Sequence, residues 1–197
     1  MSLKVKEGNS SFEVCPEGSY ITRCFAIIDM GMQENTFFNN ISPKVYIGWE
    51  IPDKKMADGK PMIVYQNYTA SLDKKAKLRS HLEQWRGKGF SKEELSGFEL
   101  KNVLGAAGYI TIGHKSSNDG KIYSNVIGIS KLPPGIECPP LFNKKIYFDL
   151  DNYTDESYNS VPQGFRNKIN LGEIEKMKEE QEMLNNQHNE HDDGIPF

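Results

Sequence analysis

Lys44 and Tyr46 share one face of the segment KVYIGWEIP, opposite an apolar set of Val45, Ile47, Trp49 and Ile51. The same pairing of rings and cations recurs along the chain. Arg23 lies in an earlier apolar run, and Phe37 and Phe38 interrupt the polar stretch NTFFNN. Lys60, Tyr65 and Tyr68 follow, then Lys77, Arg79 and Arg86 in a helical pattern, and finally Lys121 and Tyr123. Flat rings offer faces on which unpaired bases stack, at ~1–3 kcal/mol per base. Cations displace the counterions of phosphates, so affinity falls as salt rises. These side chains are therefore the candidate contacts for a single-stranded nucleic acid. Each tyrosine taken alone also fits ordinary packing with its hydroxyl at the surface. Tyr65 and Tyr68 are three apart, so an unbent strand sends them to opposite faces and at most one of them meets bases. Trp49, on the apolar face, belongs to the core.

Other chemistries find no pattern. The chain lacks a phosphate-binding G-x-x-x-x-G-K-[ST] loop, a G-x-S-x-G elbow, an H-E-x-x-H pair and a dinucleotide-binding glycine fingerprint. Asp29, Glu34 and Glu50 lie near the early strands, but nothing in their spacing favours a metal over solvated or ion-paired acids. Cys15, Cys24 and Cys138 make no C-x-x-C pair, and His188 and His191 sit in a polar tail. The expectation is a protein that is not an enzyme and takes no cofactor or metal. No apolar run approaches the length of a membrane-spanning helix, and MSLKVKEGNSSFEV lacks the apolar stretch of a signal peptide. A cytoplasmic protein without a membrane partner is expected, in which the sequons at Asn67 and Asn152 stay idle.

The elements that must position the candidate contacts can be read from periodicity. Residues 20–31, 44–52 and 61–72 are β-branched and aromatic runs separated by turns, a three-strand meander. The period then changes. Leu78, Leu82 and Trp85 fall at helical spacing within 73–87, with Asp73 in the first turn and Gly87 as a stop. Ser91 and Glu94 form a capping-box pattern, and 98–105 reads as another helical turn. Strands return at 108–115 and 121–133, joined at Asp119-Gly120 as a hairpin. Five strands with a helix between the third and fourth is the order of an OB-fold, a small Greek-key barrel. An SH3-like barrel or a small β-sandwich gives a similar order. The predicted fold is mainly β: a five-stranded OB barrel over 15–133, with the helix plugging its end. An extended segment, 134–172, packs on the barrel, and 173–197 forms a helical spacer with an acidic tail. The helix at 173–184 offers a surface for a homo-oligomer.

Charge is spread unevenly. Residues 1–132 hold 18 Lys and Arg against 14 Asp and Glu, a net of +4, whereas 133–197 hold 6 against 13, a net of −7. A mildly basic body with an acidic tail is one layout of proteins that handle nucleic acid. The tail closes on DDGIPF, three apolar residues at a terminus whose polar neighbours give them nothing to pack against.

DDGIPF resembles the acidic C-terminal tip of bacterial single-stranded DNA-binding proteins, where a short aspartate run is followed by Ile-Pro-Phe. Asp192, Asp193, Ile195, Pro196 and Phe197 fall on that pattern, and Gly194 departs from it, since an acid is usual there. The string K-A-K-L-R…W-R-G…E-L…F-x-L-x-N-x-L-G within 69–105 also resembles a family of phage-encoded replication proteins regarded as single-stranded DNA-binding OB-folds. The resemblance implies sequence-independent coating of single-stranded DNA in phage replication or recombination, in the cytoplasm of a bacterial host. It also implies a tip that recruits replication and repair proteins. The residues suit that role: a basic pocket can clamp the Phe197 ring with its α-carboxylate, Pro196 restricts the peptide, and Asp192 and Asp193 steer the encounter. Two other readings fit the sequence: a protein-interaction adaptor that does not bind DNA, and an RNA-binding OB module. An acidic tail can also occupy its own protein's DNA groove. Removing residues 190–197 is then expected to raise affinity for a labelled oligo-dT at low salt, and unchanged affinity would end the self-occlusion reading.

Overall fold

The computed structural model describes residues 13–35, 40–117 and 120–169. The chain divides into two compact units, Met1–Ser160 and Val161–Phe197. Within the first, β1 (Gly18–Asn35), β2 (Asn40–Lys55) and β3 (Pro61–Thr69) are followed by α1 (Lys77–Arg86) and α2 (Lys92–Ser96). A 3-10 turn (Leu100–Val103) leads to β4 (Ala107–Ser116) and β5 (Ile122–Ser130), then β6 (Ile146–Phe148) and α3 (Asp155–Ser160). The second unit contributes a one-turn helix, α4 (Gln163–Arg166), in its described part.

The protein is mainly β. The sheet runs in the order β3-β2-β1-β4-β5 with antiparallel neighbours, and β6 joins β1 in parallel. β1 makes this possible by its length. One edge pairs with β4 from Gly18 to Arg23, while the other pairs with β2 from Arg23 to Asn35. Where β4 leaves, β6 takes over, Ala26 opposite Ile146 and Ile28 opposite Phe148. The sequence reading stopped this strand at Gly31. The residue is instead a bulge, at φ +65° with its N–H donating to the Asp29 carboxylate at 2.9 Å, and pairing resumes beyond it.

Alternation fills the core as expected. Val45, Ile47, Trp49 and Ile51 of β2 are buried with Ile27, Val64, Ile110, Ile112, Val126 and Ile129. Leu78, Leu82 and Trp85 bring α1 into the same core, Trp85 lying 5.6 Å from Trp49 and donating its indole N–H to the Ala107 carbonyl at 2.8 Å. The expected closure of the barrel is not reached. Among the described residues no backbone ladder joins β3 to β5, and β5 carries a register shift opposite Thr111/Ile112. Side chains bridge the seam instead. Gln66 Oε1 accepts the Val126 N–H at 2.9 Å, and Lys77 Nζ donates to the Val126 carbonyl at 2.8 Å.

The outer face of the sheet carries a strap. Arg23 donates to the carbonyls of Gly105, Cys138 and Pro139 at 2.7–2.9 Å. Glu50, 1% exposed, accepts the N–H groups of Phe142 and Asn143 at 2.9 Å and the Asn143 side-chain amide at 2.6 Å. Further along, Phe148 packs against the rings of Tyr153 and Tyr158, with centroids 5.9 Å away. The extended stretch expected from 134 onward thus includes a paired strand and a short helix, neither of which its composition announced. The predicted helix at 173–184 lies outside the described residues. Glu50→Ala strips the strap turn of three hydrogen bonds, and a loss of about 2–4 kcal/mol of stability is expected in urea denaturation.

Candidate nucleic-acid interface

The loop between β3 and α1 sets up the site. The Ser71 hydroxyl donates to the Asp73 carboxylate at 3.0 Å and accepts the Asp73 N–H at 3.1 Å. That local turn competes with helix, as Ser and Asp do. The helix expected from Asp73 therefore opens only at Lys77, with Ala76 at its cap position, no side-chain cap and no acid in its first turn. An uncapped helix start leaves backbone N–H groups and partial positive charge exposed.

A groove of about 490 Å³ forms there, lined by Lys44, Asn67, Thr69, Ser71, Asp73, Lys75 and Lys77 together with the edge of Tyr68. Lys44 Nζ donates to the Thr69 hydroxyl at 2.8 Å, which leaves the ammonium two further protons. Lys77 reaches across to β5 and lies 5.9 Å above the Tyr68 ring. Burial, and next the charge of Lys115, hold its pKa below the usual lysine range. Lys115 stands opposite Tyr123 on the β4–β5 hairpin, so a half-exposed ring adjoins that cation. Among the described residues none of Lys44, Lys75, Lys77 and Lys115 has a carboxylate within ion-pairing distance. Asp73 is the acid among the groove's lining residues. Crowded cations of this kind attract an anion, which relieves their mutual repulsion.

Of the residues singled out from sequence, Lys44 and Lys77 line this groove, Tyr123 stands opposite Lys115 on the β4–β5 hairpin, and Lys121 is exposed at the end of the same hairpin. Others have structural work. Arg23 clamps the strap, and Arg79 donates to Glu83 and to the Leu72 carbonyl. Arg86 is stacked by Phe90 and Phe98, 4.4 and 4.9 Å from their centroids, and paired with Glu94. Lys60 is ion-paired with Asp58 on an exposed turn. Tyr65 packs edge-on against Phe25 over Gly48, and burial raises its pKa. Tyr46 is half-buried on the same face, with its pKa also raised by burial. Tyr68 points into the core and shares a 2.9 Å hydrogen bond with His81 Nδ1. The opposite facing expected for Tyr65 and Tyr68 holds, yet both are packing residues. Phe37, Phe38 and the tip residues Asp192, Asp193, Ile195, Pro196 and Phe197 lie outside the described residues. Lys115 was missed. Its place opposite Tyr123 depends on the hairpin register, Ser116 opposite Ile122, whereas a two-residue turn at Asp119-Gly120 sets Lys115 opposite Ser124.

No family model and no curated protein matches the chain.

His81, bonded to Tyr68 behind the groove's lining, gives the fold a pH dependence. Burial, and next the charge of Lys77, lower its pKa from 6.5 to about 4. The unfolded chain binds a proton in that interval that the folded chain refuses, so this contribution to stability is intact above 6.5 and is lost as pH falls toward about 4. Urea denaturation of His81→Gln at stepped pH is expected to show a shallower loss across that interval than the parent, and parallel curves would contradict the assignment.

Proposed function

We propose that the protein binds single-stranded DNA without sequence preference, through the lysine-lined groove between β3, α1 and the β4–β5 hairpin. One observation carries the reading. Lys44, Lys75 and Lys77 line one hollow, Lys115 lies near enough to bear on Lys77 and stands opposite a half-exposed tyrosine, and no carboxylate is paired to any of the four among the described residues. A phosphate backbone is the extended polyanion that suits a line of cations, and an adjacent ring takes a base in a way that tolerates any sequence.

The topology supports the same reading. The order β3-β2-β1-β4-β5, with β5 beside β3, fits the strand order of an OB barrel left open along one seam. Such barrels bind oligonucleotides across their second and third strands and the loops after the first and fourth. Lys44 and Thr69 come from that pair of strands, Lys115 and Tyr123 from the flanks of the fourth loop, and the sequence puts Phe37 and Phe38 in the first. The DDGIPF terminus fits recruitment of replication proteins by the coated strand. No helix among the described residues is long and apolar enough to cross a membrane.

The test is anisotropy of labelled oligo-dT and of a matched duplex over a range of salt. Salt-sensitive binding of the single strand, with much weaker binding of the duplex, is expected. Replacing Lys44, Lys75 and Lys115 by Gln is expected to flatten the slope of log K against log salt by about 0.7 per lysine, roughly 2 in all. Equal binding of duplex and single strand, or an unchanged slope, overturns the proposal. An oligo-rU bound more tightly than oligo-dT would move the reading to RNA.

A further inference from the structure

Phe142 is 64% exposed, the most exposed aromatic side chain among the described residues. Its position is not loose. The turn that presents it is held by Glu50 through both the Phe142 and Asn143 N–H groups, and Arg23 fixes the chain a few residues earlier. A nearly fully buried carboxylate is costly to place and is here spent on backbone N–H groups rather than on a cation. The result is a rigid mount for a bare ring. Lys144 and Lys145 follow it, both exposed, and Lys145 lines a hollow of about 370 Å³ with Arg23, Gly105, Cys138, Pro140 and Leu141.

The mount stands on the same face of β2 as the groove. Lys44, Tyr46, Gly48 and Glu50 alternate outward along that strand, so the Phe142 turn sits six residues from Lys44 on one surface. At about 3.3 Å per residue that separation is about 20 Å. At about 3.4 Å per nucleotide a single strand of about six nucleotides spans it, within the ~4–16 nucleotides covered by one OB barrel.

We propose that Phe142 is a second base-stacking site, taking an unpaired nucleobase of the strand whose phosphates lie in the lysine groove, with Lys144 and Lys145 beside the adjoining phosphates. This rests on the single-strand reading above and extends the path across the outer face of β2. A ring held in place loses little freedom when a base stacks on it, so the full stacking energy is available to binding. The exposed Lys144 and Lys145 favour a polyanion beside the ring over an apolar peptide.

The experiment uses the full chain with oligo-dT of increasing length. Phe142→Ala is expected to weaken binding of long oligo-dT by about 5- to 100-fold. It is expected to leave binding of the shortest bound oligomers unchanged. Phe142→Leu, which keeps bulk without a π-face, is expected to behave like Phe142→Ala. Phe142→Trp is expected to keep affinity and to show saturable quenching of the new indole's emission, above the background of buried Trp49 and Trp85. Unchanged thermal unfolding of the variants separates stacking from loss of fold. If the parent binds no oligo-dT, the single-strand reading fails and this inference with it. If the parent binds while Phe142→Ala is indistinguishable from it, or Phe142→Leu retains full affinity, or the indole is not quenched, the stacking site alone is overturned and the ring becomes a candidate contact for a protein.

Discussion

Backbone hydrogen bonding along both edges of β1 is the constraint on which the rest depends. A strand of 18 residues has more donors and acceptors than one partner can satisfy, and β2, β4 and β6 divide them between its two edges. That division fixes where the meander, the hairpin and the strap attach. It also dictates that β3 and β5, at the ends of the sheet, are left to meet each other. The bulges between Cys24 and Ala26 and at Asp29–Gly31 coil the strand enough to bring those ends near. Everything assembled at the seam, including the lysine groove, follows from this curl.

Much of this was legible in the sequence. Period-2 alternation in KVYIGWEIP and period-3.6 spacing of Leu78, Leu82 and Trp85 reported their buried faces because burial selects residue type strongly. The capping box at Ser91 and Glu94 was equally local, and both of its hydrogen bonds form. What failed was non-local or ambiguous. Gly31 signals a turn and a bulge alike, and only the partner strand decides between them. β6 is a three-residue strand whose existence depends on the vacancy beside β1, which no window of its own sequence contains.

The candidate site was harder to read, for a physical reason. A guanidinium serves equally as a phosphate ligand and as a clamp on carbonyls, and its sequence position does not tell which. Arg23, Arg79 and Arg86 each turned out to hold the fold together. Lysines, with a compact charge and fewer directional bonds, were the ones left facing the groove. Among aromatics, likewise, the tyrosines that sequence offered for stacking are largely packed, and the exposed ring at Phe142 lies in a stretch whose prolines and lack of period disguised it.

Lys77 closes the seam and faces the groove with the same ammonium. On the proposed reading these roles are thermodynamically linked. A phosphate that draws Nζ away from the Val126 carbonyl removes one of the two side-chain ties between β3, α1 and β5, and loads the remaining one at Gln66. Reciprocity then requires that release of the Lys77–Val126 contact strengthens the hold on phosphate by the same factor by which phosphate favours that release. A sheet sealed by side chains instead of a ladder can in this way exchange a little of its own cohesion for its ligand, without breaking a single strand pairing.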